Sequence, residues 1–163
     1  MALASKEPIE EVTWWTLPVP PPVNLVGTKH SLLRMKLGDQ LFLVESRPKV
    51  DIPCPDDDMT RRAALHGILV SKWQDVHSAR HLKRLHHVAT LRPSKPVHLS
   101  ELLQYLVGLG DYDAAAHNCH HVAHEAYNFC ASGAERLTEL PLNRAHTAFA
   151  QGLWKFFGIN LAP

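Results

Sequence analysis

Two apolar runs, "KHSLLRM" and "LFLVES", flank the polar turn signal "LGDQ". The pattern predicts a β-hairpin with strands over residues 29 to 36 and 40 to 46. A third apolar run, "HGILVSKW", reads as another strand. Between them "RPKVDIPCPDDDM" carries three prolines and three successive aspartates and reads as a loop. Further on the apolar period changes. In "HLSELLQYLVGLG" leucines and Tyr105 recur at helical spacing, Ser100 stands where a cap is needed, and Gly108 and Gly110 end the pattern, so a helix is expected over 100 to 108. In "NCHHVAHEAYNFCASG" Asn118 is the cap, Val122, Ala123, Ala126, Tyr127 and Cys130 form the apolar stripe, and Gly133 is the stop. The stretch "DVHSARHLKRLHHVATL" mixes His, Lys and Arg so heavily that a solvated helix and an ordered loop fit it equally well.

The ends are different in character. "VTWWTLPVPPPVN" joins paired tryptophans to a proline cluster, which predicts an extended arm over 1 to 26 packed across the domain. "NRAHTAFAQGLWKFFGINLAP" predicts an apolar helix over 144 to 163, with Phe149, Leu153, Phe156 and Phe157 on one side. A chain of 163 residues with 45% hydrophobic content is expected to form a single domain over 1 to 163.

Charge and cysteine usage narrow the function classes. A formal charge of +1 gives no field to draw nucleic acid, and "HLKRLHH" lacks the interleaved aromatics of a stacking platform, so no nucleic-acid partner is expected. Three cysteines, Cys54, Cys119 and Cys130, do not make a disulfide framework. The acidic opening lacks the apolar run of a secretory signal and no segment reaches the length of a membrane span, which together predict a reducing, cytoplasmic location.

The chemistry concentrates around Cys119, with His117, His120, His121 and His124 close by. Histidines at i,i+4 can hold zinc, but the two such pairs, 117 with 121 and 120 with 124, fall on different faces of one helix. No CxxC pair is present, and "HEAYN" lacks the second histidine of a zinc-protease helix, so neither metal nor other cofactor is expected. A thiol at the first position of a capped helix meets unpaired amides and the helix dipole, which favour thiolate. Such a nucleophile needs a base distant in sequence, and His30 in "KHSLLRM" is the candidate.

The pair "KHS" on a first strand and "NCHH" opening a late helix resembles the H-box and NC motif of the circularly permuted NlpC/P60-like papain superfamily, which includes lecithin:retinol acyltransferase-like enzymes and picornaviral 2A proteins. The resemblance covers the hairpin and residues 99 to 130. It implies an α+β fold in which a small antiparallel sheet packs against the helix carrying the cysteine, with Cys119 as nucleophile and His30 as base. It also implies a polar group on the strand after the base, a role for which Glu45 is the residue best placed. Asn118 would cap the helix, His117 would support the active-site turn, and the Cys119 N–H could donate to an oxyanion. The implied activity is that of a cysteine hydrolase or acyltransferase working through an acyl-enzyme on an ester, thioester or amide of a lipid or peptide. Two other classes compete: an inactive papain-like interaction module, binding a protein or membrane through the C-terminal apolar helix, and a histidine-rich metal-binding protein.

Overall fold

A computed structural model describes residues 7–18, 29–48, 58–73, 84–113 and 117–139. The chain is α+β. Its strands are β1 (Glu11–Pro18), β2 (Lys29–Leu37), β3 (Gln40–Ser46), β4 (Ile68–Lys72) and β5 (His86–Leu91). Its helices are α1 (Asp58–Leu65), α2 (Leu99–Gly108) and α3 (Cys119–Cys130), followed by a short 3-10 turn, Gly133–Glu135. The strands form one antiparallel sheet in the order β4-β3-β2-β1-β5.

The hairpin of β2 and β3 closes with Leu37 opposite Gln40, which leaves a two-residue turn. Its first residue, Gly38, has φ +53°, in the left-handed region that glycine enters without a Cβ clash. Along β2, Leu33, Met35 and Leu37 alternate onto one face and are almost wholly buried. They meet Val12 and Trp14 of β1 and Phe42 and Val44 of β3, and the apolar stripes of α2 and α3 close this core from the helix side. Leu99, Leu102, Leu103 and Leu106 supply α2's part, and Val122, Ala126, Tyr127 and Cys130 supply α3's. Each fully buried leucine of this kind contributes about 2 kcal/mol of transfer free energy.

Four expectations are corrected. Residues 11–18 belong to an interior strand rather than an arm: β1 pairs with β2 on one side and β5 on the other, and Trp14 is fully buried. The β-branched and aromatic run "VTWWT" suits a pleated strand, and Pro18 stands at its end. The ambiguous basic stretch contains β5, an edge strand whose pairing with β1 shifts register between Trp14 and Trp15. The aspartate-rich loop ends in α1, a mostly polar helix that buries only Thr60 and Ala63 and places Asp58 at its positive end. Helix α2 is capped at His98, whose N–H donates to Glu101 Oε2 at 2.9 Å, rather than at Ser100.

Helix α3 starts where the sequence predicts and ends at Ala131; Gly133 lies beyond it, in the 3-10 turn. Cys54, most of the arm over 1 to 26 and the apolar helix over 144 to 163 lie outside the described residues. Among the described residues no helix is long and apolar enough to cross a membrane.

Candidate active site

The hairpin register sets the first half of the site. Glu45 of β3 lies opposite Leu32 of β2, so its side chain projects on the same face as Leu32 and, two residues earlier, His30. From that diagonal position Glu45 Oε2 accepts a 2.6 Å hydrogen bond from His30 Nε2. Glu45 is almost completely buried, and its other oxygen, Oε1, lies 2.9 Å from the Arg47 guanidinium. That second contact is one of charge and proximity, since the guanidinium N–H groups are not aimed along a hydrogen-bond line at Oε1. Burial pushes the Glu45 carboxyl upward, but the hydrogen bond and charge of His30 and the charge of Arg47 outweigh it and hold the carboxyl below its ordinary value.

The helix supplies the second half. Asn118 adopts extended backbone and its Oδ1 accepts from the His120 and His121 amides at 3.0 and 3.4 Å, so the cap expected from sequence is formed. Cys119 is therefore the first residue of α3, a free and buried thiol at the positive end of the helix dipole. Its sulfur lies close enough to the His30 ring to raise the ring's proton affinity. Because Nε2 faces Glu45, Nδ1 is the nitrogen left for the sulfur. Burial alone would lower the His30 pKa, but the hydrogen bonds to Cys119 and Glu45 and the charges of both raise it from 6.5 to about 9. At neutral pH the ring is an imidazolium held between a sulfur and a carboxylate. The His30 side chain keeps 20% of its exposure while Glu45 keeps 1%, so the pair opens to solvent on the imidazole side.

Sequence reasoning missed three further residues at this site. Arg47 continues β3 by one residue and anchors Glu45. Tyr112 lies within electrostatic reach of the thiol: burial, then the charges of Cys119 and Asp113, push its phenol above the ordinary value. Gly67 makes that approach possible. At φ +81° it sits between β3 and the 111–113 segment, and a Cβ there would lie 2.7 Å from the Arg47 carbonyl and 2.9 Å from Tyr112 Cβ. Gly67→Ala is thus expected to cost about 2 kcal/mol or more and to slow Cys119 labelling by displacing Tyr112. Thermal denaturation beside iodoacetamide kinetics checks this, and a variant matching wild type in both would show that the close approach is unimportant. No local signal in the sequence marks Tyr112, whose role depends on the chain turning back at Asp113 and His117.

His117 does support that turn, exchanging two backbone hydrogen bonds with Asp113, and its Nδ1 bonds the Asp111 carbonyl at 3.1 Å. The other histidines diverge. His121 Nδ1 lies 3.0 Å from Asn118 Oδ1, His124 Nε2 donates to the Leu137 carbonyl, and His120 reaches Ser31. Among the described residues no group of three potential ligands converges on a metal position.

No family model matches the chain, and no curated protein or solved structure matches it.

Proposed function

We propose that the protein is a cysteine-dependent hydrolase or acyltransferase with a circularly permuted, NlpC/P60-like papain fold. One observation carries the reading: a single imidazole bridges a thiol at a helix head and a buried carboxylate, 2.6 Å away on the adjacent strand. That is the arrangement a nucleophile, base and orienting acid require. Thiol, imidazole and carboxylate suffice for every step.

The Cys119 sulfur, having passed its proton to His30, attacks the carbonyl carbon of an ester, thioester or amide. The carbonyl electrons move to oxygen, where the Cys119 N–H at the head of α3 can donate; the Asn118 side chain engages the amides of His120 and His121. The tetrahedral adduct collapses as His30 gives its proton to the departing alcohol, thiol or amine. Water or another acceptor then attacks the acyl-enzyme, losing its proton to His30 and restoring the thiol. Throughout, Glu45 stabilises the positive ring and fixes its orientation. The substrate class is an acyl-bearing lipid or peptide.

Intact-protein mass spectrometry with a panel of ester, thioester and peptide probes tests the reading. A single acyl group on Cys119 is expected, with Cys130 unmodified because burial pushes its thiol up to about 12. The rate should fall as pH rises through about 9, where His30 loses the proton the leaving group needs. A folded, reduced protein that no probe acylates would sink the enzyme and leave the interaction module.

A further inference from the structure

His120 follows the nucleophile directly, while Lys29 and Ser31 flank the base. The Ser31 hydroxyl accepts from Trp14 Nε1 at 3.0 Å and lies 2.6 Å from His120 Nδ1. With Trp14 Nε1 donating to the Ser31 hydroxyl, that hydroxyl's own proton is available to Nδ1 of a neutral ring that carries its proton on Nε2. The chain of hydrogen bonds runs from Trp14 through Ser31 to His120.

We propose that His120 is a positioning residue, a clamp from the residue after the nucleophile to the residue after the base that holds the Cys119 sulfur against the His30 ring. The inference rests on Cys119 and His30 being the reacting pair. Consecutive Cα atoms are about 3.8 Å apart, so tying residue 120 to residue 31 leaves residues 119 and 30 little freedom to slide past each other. A second hydrolytic dyad built from Ser31 and His120 is ruled out by access, since Ser31 is wholly buried beneath the helix beside Trp14.

The ring's charge state supports the same role. His120 is surrounded by groups that are cationic when protonated: His30, His121 and Lys29. Burial, then the charges of His30 and His121, lower it to about 4. A neutral His120 keeps a lone pair that can receive the Ser31 proton and puts no second positive charge beside the sulfur. His30 itself faces Cys119 and Glu45 on its two bonded sides, and His120 close by.

Ser31→Ala and His120→Gln, compared with wild type by NMR titration of the His30 ring and by iodoacetamide labelling of Cys119, test the clamp. The expected result is a His30 titration moved from about 9 towards 6.5 and labelling at neutral pH slowed roughly tenfold, the worth of one hydrogen bond to a buried partner. A purely structural role would lower the melting temperature and leave the His30 titration in place, and that result overturns the proposal. In wild type, nitrogen chemical shifts should report His120 neutral, with its proton on Nε2, from about pH 6 to 9. Protonation near the ordinary value, or a proton on Nδ1, overturns the clamp even if neither variant folds. Both NMR readouts are independent of turnover, so a wild-type protein that shows the clamp but is acylated by no probe would retire the enzyme reading alone.

Discussion

Cys119→Ser is expected to abolish acyl-enzyme formation, lowering the rate with an activated aryl thioester by roughly a thousandfold or more. A serine hydroxyl holds its proton far more tightly than a thiol, and a ring that accepts protons near neutrality cannot ionise it in advance. The change is small in volume and leaves the Asn118 cap on the His120 and His121 amides in place, so the melting temperature should move little. The same variant has a second signature. His30 is held at about 9 first by the hydrogen bond to Cys119, against its burial, and by that sulfur's charge as well as by Glu45. With the sulfur gone, its titration should drop well below 9 while Glu45 remains. Thioester turnover together with ring titration separates the outcomes: lost activity with an unmoved His30 would mean that sulfur and ring do not share a proton.

The next largest effect is expected from Glu45→Gln, which keeps the shape of the side chain and removes its charge from a buried position. Acylation should fall about a hundredfold or more, because the ring loses the acid that fixes its tautomer and supports its positive form. Stability should also fall by about 3 kcal/mol near neutrality, the usual cost of breaking a buried ion pair from one side. The direction of each pKa shift sets the pH window. His30 is raised from 6.5 to about 9, so its contribution is fully present below 6.5 and disappears as pH rises through about 9. Glu45 is lowered from its ordinary 4.5, so its contribution is present above 4.5 and disappears as pH falls through its folded value. Wild type and Glu45→Gln should therefore differ most in melting temperature between about pH 5 and 8 and converge in strong acid. A difference that persists unchanged at about pH 2 would mean that Glu45 acts through packing and not through its charge.

Several features of the molecule are determined by short stretches of sequence, because the interactions that make them are local. The β2–β3 turn needs only a glycine that tolerates φ +53° between two apolar runs. The start of α3 needs only Asn118, whose side chain reaches amides two and three residues on. Cys119 at a helix head follows at once. The hairpin also brings His30 and Glu45 to one face, since a period of two and a two-residue turn leave one register with the apolar face buried.

What the tertiary structure alone decided concerns contacts between residues far apart in the chain. "VTWWT" reads as an extended or polyproline arm until β2 and β5 offer it ladders on both sides. "HHVATL" has no strong preference, and its pairing with β1 makes it a strand. His120 has the appearance of one more polar residue on a histidine-rich helix surface; only the packing of α3 on β2 brings its ring to Ser31, 89 positions away. Arg47, Gly67 and Tyr112 converge on the site from β3, the α1–β4 turn and the segment before α3. The physical reason is the same in each case. Local propensity fixes backbone conformation over a few residues, whereas the proton positions and charges of the site depend on groups that become neighbours only when the sheet closes and α3 docks against it.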